Sequence, residues 1–250
     1  MDLSEINFAV LVASLIVAST PLVLAALGEL IVEKAGVLNL GVEGMMIIGA
    51  VAGFIVGVET GSAYIGMIAA AVAGALLSLL FAFIILIMQA NQVASGLALT
   101  IFGLGIAALM GHPYTGIKSP QISTISIPIL SEIPILGTMF FQHDLIVYLS
   151  LISVLTIWYF LTRMRAGLIL RSVGEDHDVA HSLGYRVITI RFLAIVFGGA
   201  MAGVGGGYLS LFRVPQWTEG MTAGAGWIAL ALVVFSGWRP FRLLVGAYIF

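Results

Sequence analysis

Long apolar runs separated by short polar segments make up nearly the whole chain. A helix needs about 20 mostly apolar residues to cross the hydrocarbon core of a membrane. Seven stretches meet this requirement, at roughly 8–27, 37–58, 62–88, 93–110, 145–162, 192–212 and 221–236. An eighth run starts near Leu243 and continues for eight residues before the sequence stops, so we expect this helix to be truncated. The pattern predicts an all-α fold, a polytopic transmembrane bundle of about eight spans that forms one domain over residues 1–250.

Composition supports a membrane protein and excludes several kinds of chemistry. Hydrophobic residues make up 61% of the chain and charged residues 9%, outside the range of ordinary soluble domains. The formal net charge of -2 gives no indication of a nucleic-acid partner. The chain has no cysteine, which excludes disulfides, thiol catalysis and cysteine-based metal sites. No Lys or Arg precedes the first apolar run, so we expect a retained span there instead of a cleaved signal peptide.

The positions of the ten basic residues predict the orientation of the chain in its membrane. Lys and Arg in short loops are retained on the cytoplasmic side. Only Lys118 and Arg213 fall in one alternating set of loops. The other set holds Lys34, Arg163, Arg165, Arg171, Arg186, Arg191, Arg239 and Arg242. This asymmetry predicts an external N-terminus, a cytoplasmic loop at 163–191 and a large external loop at 111–144.

The external loop holds four of the seven prolines and alternates them with apolar residues. These four are Pro113, Pro120, Pro128 and Pro134. Proline limits regular structure. We therefore expect short helices or extended pieces lying over the outer mouth of the protein.

Small residues recur at every fourth position in several spans. The second span has Gly49, Gly53 and Gly57, and a denser run, "FGGAMAGVGGGY", covers 197–208. This spacing puts the small residues on one helix face and lets neighbouring backbones approach closely. Successive glycines also lower helix stability, so the dense run permits local unwinding.

The second span carries the most informative polar residues, Asn39 and Glu43. Only fourteen apolar residues run from Met45 to Val58, so we expect the helix to begin earlier and to hold both polar residues on one face. A charge near the bilayer centre is costly. Two interpretations stay open: a carboxylate near the interface that helps to start the helix, and a residue beside the transport pathway.

A second polar segment, "QANQVASG" at 89–96, surrounds the start of the fourth span. Asn91, Gln92 and Ser95 are candidates for lining a path for a neutral polar solute. A tight turn whose amides cap helix ends is the alternative for the first of these. The interiors of spans three to seven hold no ionisable residue, which weighs against ion-coupled transport and suggests that energy enters from elsewhere.

The predicted cytoplasmic loop contains a short helix within "EDHDVAHSLGY". Acidic residues open it, where the helix dipole favours them, and Gly184 is a natural stop. Val179 and Leu183 form one narrow apolar face. His177 and His181 are four residues apart, but no third strong ligand stands in register, so we predict no metal site.

The segment "LRSVGEDHDVAHSLGYRV" resembles the coupling loop of ABC importer permeases that serve branched-chain amino acids, ribose-type sugars and nucleosides. In these permeases a Gly-Glu pair precedes a short helix that contains alanines and ends at a glycine. Gly174, Glu175, Ala180 and Gly184 match this pattern, whereas His177 stands where the family often has proline. Two further segments, 28–50 and 91–105, resemble the simple-sugar and nucleoside branch in particular.

This resemblance implies a multi-pass subunit of a bacterial or archaeal cytoplasmic membrane, which transports solute and is not itself an enzyme. Such a subunit pairs with a second permease, in this branch a different chain, and receives solute from an external binding protein. ATP and Mg²⁺ bind to partner ATPase subunits, so the chain needs no cofactor of its own. The ATPases would grip the helix at 175–184, and the coupling set would comprise Gly174, Glu175, Asp178, Ala180 and Gly184.

Several functions are compatible with these observations. The first is a permease subunit of an ABC importer for a nucleoside or related small polar solute, with sugars or branched-chain amino acids as alternative cargoes. The second is a stand-alone secondary transporter or channel with its site at Asn39 and Glu43. The third, an intramembrane enzyme, is weak because the spans show no nucleophile-base pair and no metal set.

Overall fold

A computed structural model describes residues 8–120, 125–126 and 136–250 of the chain. Its longer helices are α1 Phe8–Lys34, α2 Val42–Thr60, α3 Ala63–Ala82, α4 Gln92–Gly111, α6 Leu145–Arg163 and α9 Val187–Tyr208. The shorter ones are α5 Leu136–Phe140, α7 Arg165–Glu175, α8 His177–Ser182, α10 Ala225–Phe235 and α11 Pro240–Ile249. A π-helical turn extends α3 over Phe83–Ile87, and another extends α9 over Leu209–Arg213. The predicted all-α fold is confirmed.

Six helices within the described ranges are long and apolar enough to cross a membrane. They correspond to the first six predicted spans. The predicted seventh and eighth spans are not confirmed, because α10 has 11 residues and α11 has 10. At 1.5 Å per residue α10 is about 16 Å long, roughly half the thickness of a hydrocarbon core.

The second span begins later than the sequence predicts. Gly36 adopts a φ of +79°, and the backbone then runs without helical structure until α2 starts at Val42. Glu43 therefore lies in the first turn of α2, whereas Asn39 precedes the helix. The prediction that Asn39 and Glu43 share one helix face is wrong, because the chain has to reverse direction between α1 and α2.

Helix α9 lies at the centre of the bundle and packs against α1, α2 and α3. Small residues make this possible: a Cβ on Gly74 would lie 2.8 Å from Gly203 Cα, and a Cβ on Gly205 would lie 2.7 Å from Pro21 O. The predicted small-residue packing is confirmed. The glycine run does not unwind between Val187 and Tyr208, because neighbouring backbones bury it on both sides.

The two ends of the bundle differ. One end, here named the loop end, holds α7, α8, the α1–α2 connection and the turn between α10 and α11. The predicted loop at 163–191 thus contains two helices where the sequence predicts one. The sequence indicated only α8, because α7 carries Arg165 and Arg171 and is too polar to be recognised as a span.

The opposite end is built from the segment that follows α4 and the segment that follows α9. Thr115 pairs with Trp217 and Lys118 with Gln216, and a short antiparallel pair joins Ile125–Ser126 to Gln142–His143. Short helical and extended pieces therefore occur in the described part of 111–144, as predicted. Pro128 and Pro134 lie outside the described residues.

Candidate functional site

Helix α10 starts inside the bundle and not at one of its ends. Gly111, at the last residue of α4, packs against the indole of Trp217, and Gly103 packs against Gly44 at the start of α2. Gly226 packs against the backbone of Glu43, next to Gly44. Gly103 and Gly111 are eight residues apart in α4, which corresponds to a rise of about 12 Å. Because Trp217 lies beside Gly111 and Gly226 lies near the level of Gly103, the chain descends by about 12 Å between Trp217 and Gly226.

The descending segment, residues 218–224, is not helical. It is a succession of turns in which Gly220, Ala223 and Gly224 have φ values of +67°, +44° and +87°. Thr218, Glu219 and Ala223 are exposed along it. Irregular backbone at membrane depth is tolerated where protein covers it or where it lines a water-filled cavity. This segment, here named the interrupted segment, is therefore the core of the candidate site.

The carboxylate of Glu43 holds the interrupted segment to the first turn of α10. Its Oε1 accepts hydrogen bonds from Thr222 Oγ1 at 2.5 Å and from the backbone N–H of Gly224 at 3.0 Å. Its Oε2 accepts from the backbone N–H of Gly226 at 2.7 Å. The carboxylate is 3% exposed. A negative charge here meets unpaired N–H groups and the positive end of a helix dipole, which compensates for its burial.

A second buried carboxylate, Glu29, fixes the connection between α1 and α2. Its two oxygens accept from the backbone N–H and from the side-chain Nδ2 of Asn39, both at 3.2 Å. Asn39 Oδ1 in turn accepts from the backbone N–H of Gly41 at 3.1 Å. Glu29 is 1% exposed and Asn39 is completely buried. These bonds supply the partners that the non-helical connection needs inside an apolar bundle.

Sequence reasoning missed Glu29. The predicted first span ends at residue 27, which leaves 28–36 as a loop, whereas α1 continues to Lys34. The signal was available, because Leu30, Ile31 and Val32 continue the apolar pattern beyond Glu29.

The other predicted path residues lie around the same connection. Gln92 Oε1 accepts from the backbone N–H of Leu38 at 2.9 Å, which ties the start of α4 to the α1–α2 connection. Asn91 Oδ1 accepts from the N–H of Ala94 at 3.0 Å and so caps α4, the alternative named for it from the sequence. Ser95 is half-buried in the first turn.

The backbone oxygen of Leu40 joins the α1–α2 connection to two helices, α4 and α10. It accepts from Thr100 Oγ1 of α4 at 3.0 Å and from the indole N–H of Trp227 in α10 at 3.3 Å. Trp227 is 46% exposed and lies three residues beyond the interrupted segment. The structure thus brings Asn39, Glu43 and Gln92 together as supports, with their polar atoms directed at protein groups.

At the loop end, α8 is an exposed helix held by a single buried side chain. Asp176 Oδ1 accepts from the N–H groups of Asp178 and Val179, both at 3.0 Å, and so caps the helix start. Ala180 is buried against Val173 of α7 and Val187 of α9. The predicted acidic start is confirmed, and Gly184 follows the helix with a φ of +87°.

The predicted coupling residues fall into two groups. Glu175, Asp178 and Gly184 are exposed, whereas Ala180 is buried. Gly174 is half-buried and packs against the carbonyl oxygen of Lys34. A Cβ on Gly36 would lie 3.1 Å from the Cα of Gly174. Gly174 therefore joins α7 to the α1–α2 connection.

The two histidines of α8 show only a weak local contact. His177 Nε2 lies 3.7 Å from Asp178 Oδ1, and both side chains are exposed. Over the residues that the structure describes, no group of three His, Asp or Glu side chains is arranged to hold a metal ion.

A bundle of six membrane-length helices, with a helix that starts part-way through it and exposed helices at one end, defines a multi-pass membrane transport protein. Residues 11–250 match the family model for the permease component of the branched-chain amino acid transport system. The chain belongs to this family and is an ABC transporter permease subunit of the cytoplasmic membrane.

Relatives with described activities resemble nearly the whole chain. A putative glucose ABC transporter permease of Haloferax volcanii is 44% identical over 237 residues, which is 93% of this chain and 72% of the relative. A guanosine ABC transporter permease of Bacillus subtilis is 34% identical over 265 residues, 100% of this chain and 82% of the relative. A nucleoside ABC transporter permease of Lactococcus lactis is 31% identical over 252 residues, which is 96% of this chain and 80% of the relative. No solved structure matches the chain significantly.

Removing the carboxylate of Glu43 should destabilise the bundle. Glu43→Ala leaves Thr222 Oγ1 and the N–H groups of Gly224 and Gly226 without their acceptor, at a cost of roughly 3 kcal/mol or about 6 to 12 °C in Tm. Glu43→Gln keeps one oxygen acceptor and should lose about half as much. Thermal unfolding of the detergent-solubilised protein measures both. Glu219→Ala, at an exposed carboxylate, should leave the midpoint within about 2 °C; an equal shift in all three variants would contradict the role of Glu43.

Proposed function

We propose that the chain is the permease subunit of an ATP-driven importer and forms the translocation path for a nucleoside or a closely related polar solute. The relatives named for guanosine and nucleosides support this cargo, since they align over almost the entire chain. The half-exposed ring of Trp227 beside the interrupted segment suits a solute with a flat base. The relative with 44% identity favours a sugar as the second candidate.

The main support for this proposal is the interrupted segment, whose exposed turns are suited to lining the path. Exposed turns at membrane depth are incompatible with lipid, so water or a partner subunit has to face them. Glu43 and Glu29 support this lining from behind, through α10 and the α1–α2 connection. Asn39, Glu43, Asn91 and Gln92 then position the path, while Ser95 and the exposed Thr218 and Ala223 are the side chains available to it.

Energy enters at the loop end in this proposal. The exposed α8 presents Val179 and Leu183, 53% and 68% exposed, as an apolar face for a cleft on an ATPase subunit. ATP and Mg²⁺ bind to the ATPases, and this chain contributes no cofactor. Movement of α8 passes to α7 through Ala180 and Val173, and from Gly174 of α7 to the backbone at Lys34. The α1–α2 connection carries it to α10 through Leu40.

Orientation and further partners follow from the same arrangement. Eight of the ten basic residues lie at or near the loop end, which supports a cytoplasmic position for it and an external N-terminus. A solute-binding protein would then meet the opposite end. A second permease, a different chain in this branch, would cover part of the exposed apolar surface, where Ile101 and Leu109 of α4 are 72% and 78% exposed.

Water should reach the interrupted segment but not the apolar surface of α4. The chain contains no cysteine, so a single cysteine reports its own surroundings. Ala223→Cys in the assembled transporter should react with a charged, membrane-impermeant maleimide several-fold faster than Ile101→Cys, because lipid or protein covers the second position. The φ of +44° at residue 223 is unaffected by this small change. Equal or slower labelling at residue 223 would contradict a path at the interrupted segment.

A charge on the apolar face of α8 should prevent ATPase docking without unfolding the protein. Leu183→Glu places a carboxylate on the surface that the cleft would desolvate, so we expect a loss of at least about tenfold in co-purified ATPase. Val214→Glu, an exposed position at the opposite end, is the matched control. Co-purification and thermal unfolding are measured together. Unchanged ATPase recovery with Leu183→Glu would remove α8 from the proposed interface.

Uptake should follow ATP and favour nucleosides. Proteoliposomes that contain the chain, its ATPases, its second permease and its binding protein should accumulate radiolabelled guanosine or uridine on addition of ATP. Glucose, ribose and leucine are measured in parallel, and preferred uptake of glucose would select the second candidate. Accumulation by the chain alone, driven by a sodium or proton gradient, would show that the chain is a secondary transporter.

A further inference from the structure

A cavity of about 640 Å³ opens at the loop end, on the side of α6 that faces the turn between α10 and α11. Four basic residues from three parts of the chain line it: Lys34 at the end of α1, Arg171 in α7, and Arg239 and Arg242 at the start of α11. This space is here named the basic cavity. It is separate from the interrupted segment, and neither the coupling role of α8 nor the proposed solute path requires it.

The positive charges around the basic cavity are not paired directly with carboxylates, although Glu33 and Glu175 line the adjoining cavity. Within the described residues no carboxylate oxygen lies within 4.0 Å of any of the four basic groups. Arg171 Nε is buried and has no hydrogen-bond acceptor in the part of the chain that the structure describes. Buried donors nearly always have acceptors, and like charges brought together repel each other. An anion in the basic cavity would meet both conditions for all four basic groups, whereas Glu33 lines the adjoining cavity with Lys34 and Arg171 only.

Aromatic side chains form much of the remaining wall. Trp158 and Phe241 lie with their ring centroids 5.6 Å apart, and Lys34 Nζ stands 5.7 Å from the centroid of the Trp238 ring. Planar guanidinium groups match the oxygens of a phosphate, and aromatic rings accept a flat base or an acyl-glycerol group beside it. We propose that the basic cavity binds the phosphate of a ligand that also contacts the aromatic wall, either an anionic phospholipid headgroup or a soluble nucleotide.

The position of the basic cavity gives such a ligand a means to influence transport. Lys34 and Arg171 also line a neighbouring cavity of about 210 Å³ together with Glu33, Gly174 and Glu175. Gly174 is the contact between α7 and the α1–α2 connection. A phosphate held by both Lys34 and Arg171 joins α7 to α1 next to this contact. Bound ligand therefore stiffens the connection between the loop end and the bundle.

The neighbouring cavity also offers a competing arrangement. Glu33 Oε1 is buried without a hydrogen-bond donor among the described groups, while Oε2 accepts from the indole N–H of Trp238 at 2.5 Å. A rotation of Arg171 toward Glu33 would pair these two groups and withdraw one cation from the basic cavity. Glu33→Gln removes this competitor, so it should leave anion binding unchanged or tighten it.

Binding is tested on the full chain purified in a neutral detergent and stripped of lipid. Native mass spectrometry with phosphatidylglycerol measures the lipid source, and a titration with guanosine monophosphate followed by microscale thermophoresis measures the soluble source. Zwitterionic phosphatidylcholine is the control for the lipid. For the nucleotide, the control is the same titration of the Arg171→Gln variant, because guanosine is a proposed cargo and would bind in the solute path. We expect at least one phosphate ligand to bind about tenfold or more tightly than its control. Binding of neither ligand, or equal binding of ligand and control, overturns the proposal.

Matched variants distinguish a built site from general attraction to basic residues. Arg171→Gln and Arg242→Gln should each weaken binding about tenfold, and Arg242 is exposed, so its replacement leaves the fold intact. Arg165→Gln removes an exposed charge from the first turn of α7, outside the cavity lining, and should have no effect. Equal weakening by Arg165→Gln overturns the proposal. The proposal is also overturned if Glu33→Gln weakens anion binding as much as Arg171→Gln does, because Arg171 and Glu33 would then act as an ion pair that supports the fold. No outcome depends on the transported solute.

Discussion

Every polar backbone group inside a membrane needs a partner, and the first turn of α10 meets this requirement through one carboxylate. Glu43 accepts from Thr222 Oγ1 and from two backbone N–H groups at the point where the chain changes from turns to helix. Without such an acceptor a helix could not start part-way through the bundle, because its unpaired N–H groups would face an apolar interior. The interrupted segment, the position of Trp227 and the length of α10 all depend on this contact.

The connection between α1 and α2 is the second structure that rests on buried polar bonds. It bends back into the bundle at Gly36, takes its hydrogen bonds from Glu29 and Gln92, and contacts α7 on one side and α10 on the other. Glycine-to-backbone packing transmits displacement well, since there are no flexible side chains between the two surfaces. A single short connection therefore lies between the exposed helices of the loop end and the irregular part of the bundle.

Packing and exposure divide the helices into two kinds. Helices α2 and α9 are held by small residues and bury most of their surface, whereas α4 and α6 present large apolar side chains outward. Helix association in lipid depends on close contact and not on exclusion of water, so glycine faces mark the fixed part of the bundle. The apolar surfaces of α4 and α6 face lipid or further subunits, which agrees with a permease component that works within a larger assembly.

Much of this could be predicted from the sequence because hydropathy and helix length are local properties. The runs of apolar residues were sufficient to place six spans, and the acidic residues and Gly184 were sufficient to indicate α8. The small-residue spacing correctly indicated which faces pack. The resemblance of "LRSVGEDHDVAHSLGYRV" to a coupling loop led to the family that the whole-chain match confirms.

Only the tertiary structure decided which groups meet. Glu43 and Gly226 are 183 residues apart in sequence, so nothing local showed that Glu43, in the first turn of α2, would also bind the first turn of α10. Residues 221–236 look like a span by composition. Helix α10 covers only about half the thickness of a hydrocarbon core, because Glu43 and Leu40 bind its first turn inside the bundle. The hydrogen bond between Glu29 and Asn39 also crosses a chain reversal, so only the structure showed it, although the apolar pattern beyond Glu29 was visible in the sequence. Local composition determines how far a helix can extend, whereas long-range hydrogen bonds determine where it begins and what its polar side chains bind.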